Sequence, residues 1–150
     1  MASQQFSRAT HERLTAELYD LTTRGRIEVA QKIEAARLMG DLSENGDYHA
    51  AKDEQGHMEG RIRHLEHLLD EAIVVEQLKV MTILYDGDKE SDAETYIIGH
   101  QEEKTGAIEV MSPKSPLGTE LVDANAGDTV EFTAPHGGKL KVHVLKVEFA

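Results

Sequence analysis

The 150-residue chain has no cysteine, no tryptophan, three prolines and only 5% aromatic residues. Without cysteine there is no disulfide framework, no thiolate zinc site and no thiol nucleophile. Cations are scarce: 16 Lys and Arg stand against 28 Asp and Glu, a net charge of −12. Duplex nucleic acid is held largely by neutralised phosphates. A chain this acidic is therefore not expected to bind DNA independently or sequence-specifically. Long apolar runs are missing too. The longest clean one, Ala72-Ile73-Val74-Val75, falls far short of the roughly 20 residues that span a bilayer. The segment from Met1 to Phe6 offers neither the basic nor the apolar region of a secretory signal. The expectation is a cytoplasmic protein with no membrane contact.

Few large rings and an uneven composition argue against one compact core. All three prolines and most β-branched residues lie beyond residue 76. The fold class expected is α+β, with a helical unit over 1–76 and a β-rich unit over 77–150. In the helical unit, Tyr48, Ala51, Gln55, Met58, Ile62, Leu65, Leu69 and Ala72 alternate steps of three and four, the seam of one helix packed along another. Leu14, Leu18 and Leu21, then Ile27, Ala30 and Ile33, give the facing seam. Its rhythm slips between Thr22 and Gly25, which predicts a kink or stutter there. Gly40-Asp41-Leu42-Ser43-Glu44-Asn45-Gly46 combines a C-cap glycine with Asp, Ser and Asn as N-cap candidates. A turn this short makes the helices antiparallel neighbours. The first helix, from Leu14 to Met39, would be about 39 Å long. The pair reads as a rod with its turn at one end.

In the second unit, strands are predicted over 79–85, 94–98, 107–111, 129–134 and 139–149. The turns fall at Asp86-Gly87, Lys104-Thr105-Gly106, Ala126-Gly127-Asp128 and Pro135-His136-Gly137-Gly138. Ser115 and Pro116 are set to cap and open a short helix reaching Leu121.

The turn of the rod carries the strongest chemical candidates. Asp41 and Glu44 are spaced as a capping box, which would satisfy free N–H groups at a helix start. They are equally suited to present two carboxylates to Mg²⁺, which takes one or two from protein and keeps several waters, or to orient a water for attack. The positive end of a helix opposes a cation, so any metal there is expected to be weakly held and shared with a partner. Arg37 and Lys52 flank the turn and could meet RNA phosphates or serve as ordinary helix surface. His57, His64 and His67 fall on the solvent side of the seam. The Asp86–Asp92 run fails as a Ca²⁺ loop, because Ser91 and Ile97 stand where glycine and glutamate are required.

The run from Gly40 to Arg61, GDLSENGDYHAAKDEQGHMEGR, resembles the signature of the bacterial Gre transcript cleavage factors, a transcription elongation factor family. The resemblance extends back through Leu14-Thr15-Ala16-Glu17-Leu18 and resumes at Ser112-Pro113-Lys114-Ser115-Pro116-Leu117-Gly118, Gly127-Asp128 and Pro135-His136-Gly137-Gly138. It implies an N-terminal antiparallel two-helix coiled coil and a C-terminal domain like the FK506-binding-protein fold with one short helix. It implies that RNA polymerase is the partner, docked by the C-terminal domain at its secondary channel. The coiled coil would enter that channel and reach the nascent RNA 3′ end of a backtracked complex. Asp41 and Glu44 would be the catalytic pair, sharing Mg²⁺ with the polymerase, with no cofactor bound stably by the factor alone. Arg37 and Lys52 would guide RNA, and Ser115, Pro116, Leu117 and Gly118 would belong to the docking surface. The factor would be a monomer that activates the polymerase's own endonuclease rather than an enzyme itself. A secondary-channel regulator that does not stimulate cleavage is the alternative. Two places depart from the family pattern: Val75-Glu76-Gln77-Leu78-Lys79 is a short linker, and Gly46-Asp47 stands where Ala-Glu is common.

Overall fold

The computed structural model describes residues 4–40, 44–104 and 106–150. By contact they form two units, one of the N-terminal residues through Thr10 with Ile73–Ala150, the other His11–Ala72. Among the described residues no helix is long and apolar enough to cross a membrane.

The helical unit holds α1 (Arg8–Asp20), a π-helical turn (Leu21–Gly25), α2 (Arg26–Arg37) and α3 (Gly46–Asp70). The expected slip between Thr22 and Gly25 is this π turn. Its cause is local. Thr22 Oγ1 donates to the Leu18 carbonyl at 2.8 Å and Thr23 Oγ1 to that of Tyr19 at 2.6 Å. These hydroxyls occupy carbonyls that α-helical N–H groups would otherwise use. The wider turn rotates the residues beyond it. The seam therefore passes to Val29 and Ala36, both 3% exposed, while Ile27 is 60% exposed. This corrects the expected seam positions Ile27 and Ala30. Gly25 lets the helices approach, since a Cβ there would sit 3.1 Å from Met58 Sδ.

On α3 the seam follows the sequence reading as far as Leu65, with Ala51, Ile62 and Leu65 buried and His57, His64 and His67 exposed; beyond it Leu68 is buried in place of the expected Leu69, and the helix ends at Asp70, before Ala72. Ion pairs between described residues cross from one arm of the hairpin to the other. Arg61 grips Glu17 through two contacts of 2.7 and 3.0 Å, Arg26 grips Glu59 through two of 2.9 and 3.0 Å, and Lys32 meets Glu54 at 2.9 Å. The partners on α3 descend from 61 to 54 as those before the turn ascend from 17 to 32. The helices are antiparallel.

The second unit is a five-stranded sheet in the order β5-β4-β3-β7-β6, with β3 (Lys79–Tyr85), β4 (Glu94–Ile98), β5 (Glu109–Met111), β6 (Thr129–Thr133) and β7 (Lys139–Phe149). All neighbours are antiparallel except β4 and β5. A bulge between Thr82 and Ile83 shifts the β3–β7 register. Met81 and Ile83 of β3, Val142 and Val144 of β7 and Leu121 of α4 (Pro116–Leu121) are buried in one core. Burying each such side chain contributes about 1.5–3 kcal/mol. β5 begins two residues later than expected, after a bend that leaves Ala107 exposed.

Two further strands were not read from the sequence. β1 (Gln4–Ser7) pairs with β2 (Ala72–Val75). Residues 4–10 are also tied to the sheet unit by Glu103, which is 4% exposed. Its carboxylate accepts from the Ser7 N–H at 2.8 Å, the Ser7 hydroxyl at 2.8 Å and the Thr10 hydroxyl at 2.7 Å. Phe6, fully buried, packs against the His100 ring with centroids 5.2 Å apart. The short linker between Val75 and Lys79 comprises residues 76–78, which belong to no strand, and it is tied down where Leu78 and Ala150 exchange backbone hydrogen bonds of 2.7 and 2.9 Å.

Candidate functional site

The hairpin turn is built from the ends of α2 and α3. α2 stops at Arg37 with Leu38 as its C-cap, and Gly40 comes next but one at φ 127°, a conformation that glycine adopts without strain. α3 is capped by Asn45, whose Oδ1 accepts from the Tyr48 N–H at 3.0 Å and whose Nδ2 donates to the Ala36 carbonyl at 2.6 Å. One side chain thus closes the start of one helix onto the end of the other.

Asp41 lies outside the described residues. Glu44 is exposed, in a turn just ahead of the Asn45 cap. A capping box would need Glu44 in the first turn of the helix. The helix starts at Gly46, so the capping-box reading of Asp41 and Glu44 does not hold. Among the described residues Glu44 has no hydrogen-bond or ion-pair partner. Arg37 is exposed at the end of α2, and Lys52, exposed on α3, donates to Gln55 Oε1 at 3.1 Å. The turn therefore brings Arg37 and Glu44 to one end of the hairpin, with Lys52 in the second turn of α3.

The segment after β5 has a different character. Ser115 Oγ donates to the Ser112 carbonyl at 2.7 Å and accepts from the Gly118 N–H at 3.0 Å, capping α4 as expected. Pro116 is exposed and Ser115 half-buried, whereas Leu117 and Gly118 are buried. A Cβ on Gly118 would stand 1.9 Å from the Ser112 oxygen. Pro116 and Ser115 can face a partner directly; Leu117 and Gly118 act by holding the segment in shape. Beside it opens a cavity of about 400 Å³ bordered by Leu78, Ile98, Pro113, Lys114, Val122 and Phe149.

Charge elsewhere is arranged in exposed pairs. The Arg26 hydrogen bond holds Glu59 below the usual carboxylate range, and that of Arg8 does the same for Glu76. Tyr96 is pushed up to about 12, first by its hydrogen bond to Glu94, then by burial and neighbouring negative charge.

A two-helix hairpin bearing its open polar groups at the turn, joined to a five-stranded sheet unit, defines the structural class. Residues 4–74 match the family described as transcription elongation factor, N-terminal, and residues 74–149 match transcription elongation factor, GreA/GreB, C-term. The transcription elongation factor GreA of Mycobacteroides abscessus is 43% identical, with 93% of this chain and 90% of that protein covered. That of Saccharopolyspora erythraea is 44% identical, over 91% and 89%. The crystal structure of GreA factor homolog 1 of Thermus thermophilus is a looser likeness, at 21% identity and a TM-score of 0.46, covering 98% of this chain and 99% of that one. The chain belongs to the GreA/GreB family of transcription elongation factors.

Proposed function

We propose that this transcription elongation factor binds RNA polymerase through the secondary channel and stimulates cleavage of backtracked nascent RNA, which releases arrested complexes. In this reading, residues 77–150 dock on the polymerase, with Ser115 and Pro116 at the contact and Leu117 and Gly118 beneath it. The hairpin within 1–76 carries Asp41 and Glu44 to the polymerase's catalytic centre. Arg37 and Lys52 meet the phosphates of the extruded RNA 3′ end. The observation that carries the reading is the state of Glu44. It is an exposed carboxylate that neither caps a helix nor pairs with a described cation, close in the chain to Asp41.

Carboxylate oxygens are the donors that Mg²⁺ takes, so Glu44, with Asp41, fits a shared ion. When bound there, the ion supplies Lewis-acid stabilisation of phosphodiester hydrolysis. Glu44 stands beside the positive start of α3, which disfavours a cation held by the factor alone. The hydrolysis then belongs to the polymerase, and the factor itself is no enzyme. A net charge of −12 favours docking on protein over independent DNA binding. The factor acts as a cytoplasmic monomer.

The test is RNA cleavage in stalled elongation complexes with purified polymerase. Asp41→Asn is expected to compete for polymerase like the wild type while losing about 100-fold or more of stimulated cleavage, on the scale of losing one charge-stabilising group. Equal cleavage by both proteins rejects the metal role. Polymerase binding without stimulation by the wild type favours the alternative, a secondary-channel regulator.

A further inference from the structure

Between Arg37 and Gly40 stand two large apolar residues whose side chains are mostly exposed. Leu38 is 81% exposed and Met39 71% exposed, while the seam beside them is closed by Ala36 and Ala51 at 3% and 6%. Leu38 is the most exposed large apolar side chain among the described residues. Met39 borders a shallow groove of about 320 Å³ walled by Ala35, Ala36, Ala50 and Ala51 and edged by Lys32, Asp47 and Glu54. A solvated turn is served by polar residues, and the rest of this hairpin surface is densely charged. An adjacent apolar pair at such a place is a contact surface in want of a partner.

We propose that Leu38 and Met39 form an apolar platform for a nucleobase of the single-stranded RNA presented to the hairpin turn. The proposal rests on the cleavage reading above and adds to it the residues that hold the base. Three features of the turn select this occupant. Arg37 immediately precedes the pair, and consecutive Cα atoms lie about 3.8 Å apart, so a phosphate on Arg37 leaves its own base within reach of Leu38 and Met39. The Lys52 ammonium, bound among the described residues only to the neutral Gln55 amide, adds a second positive charge for an adjacent phosphate. Extruded RNA presents unstacked bases whose faces are apolar and polarisable. Such faces pack on flat side chains irrespective of sequence, and a methionine thioether adapts well to an aromatic edge or face. The platform orients the RNA segment while Asp41 and Glu44 act on the chemistry, so Leu38 and Met39 are positioning residues.

The experiment compares wild type with the double variant Leu38→Ser, Met39→Ser in stalled complexes. The RNA carries either normal nucleotides or abasic sites throughout its extruded segment. On normal RNA, the variant is expected to cleave about fivefold more slowly at saturating factor, the loss of a part-buried apolar contact. The half-saturating factor concentration should not change. On abasic RNA the two proteins should cleave alike. A second variant, Leu38→Phe with Met39→Phe, enlarges the stacking face and should match or exceed wild type on normal RNA. Because both residues are exposed, thermal unfolding should be the same for all three proteins. An equal loss on both RNAs would assign the pair to a polymerase contact and overturn the proposal. So would an unchanged rate on normal RNA. Failure of the cleavage reading looks different: wild type would then stimulate neither RNA, which removes both.

Discussion

Replacing Glu103 tests the attachment of the N-terminal segment most directly. The carboxylate takes three hydrogen bonds of 2.7–2.8 Å, two from Ser7 and one from Thr10. Hydrogen bonds to a charged group each contribute about 1.5–3 kcal/mol net. They do not simply add, because one carboxylate serves all three and removing it also relieves the cost of burying it. Water can reach half-buried Ser7 but not Thr10, which is 3% exposed. For Glu103→Ala we expect a loss of about 3 kcal/mol, concentrated in residues 4–10. Expressed as local opening, that is about a 100-fold rise in the exchange rate of the Ser7 amide hydrogen. Glu103→Gln keeps one acceptor oxygen but turns an NH₂ toward a donor, and should give about half the free-energy loss. Hydrogen exchange read residue by residue is the assay, with urea unfolding as the control for the rest of the chain. An unchanged Ser7 exchange rate in Glu103→Ala, with the fold retained, would refute the reasoning.

Three further outcomes are expected from the geometry. Asn45→Ala removes both hydrogen bonds of the turn and should destabilise the hairpin by about 1–2 kcal/mol, seen in thermal melting followed by helical circular dichroism; an unaltered melt would disprove the capping role. Gly118→Ala forces a Cβ against the Ser112 carbonyl, and a cost of about 3 kcal/mol is expected in denaturant unfolding, together with weaker competition for polymerase. Tyr96 should titrate near pH 12 in an ultraviolet absorbance titration, and Glu94→Gln should bring its midpoint back toward the ordinary 10.0. The sign is set by its raised folded value: the contribution is complete below pH 10.0 and disappears as pH climbs toward 12. Glu59 runs the other way, contributing above its ordinary 4.5 and ceasing to do so as pH falls through its lowered folded value.

The features legible in the sequence were those decided locally. The bounds of β3, β4, β7 and α4 matched because alternation, turn glycines and the Ser115-Pro116 start act within a few residues. The α3 seam matched as far as Leu65 for the same reason: each step of three or four is a neighbour relation along one helix. The position of the seam before the turn did not, because two threonine hydroxyls change the pitch and move the buried position from Ile27 to Val29. β1 and the Glu103 cluster were invisible. Gln4–Ser7 has no apolar alternation, and Glu103 looks like surface charge until Ser7, 96 residues away in sequence, meets it. At the turn, the rival caps Asp41, Ser43 and Asn45 could not be ranked by composition. The double hydrogen bonding of Asn45 decides it.

Because residues 4–10 fold with residues 73–150, the helical hairpin is an insertion in a single body rather than an appendage on one end of the chain. The roots of its two legs, β1 and β2, pair with each other, and Glu103 holds the first of them as well. Variation in hairpin length can thus be accommodated without redesign of the body that bears it, provided both legs change together.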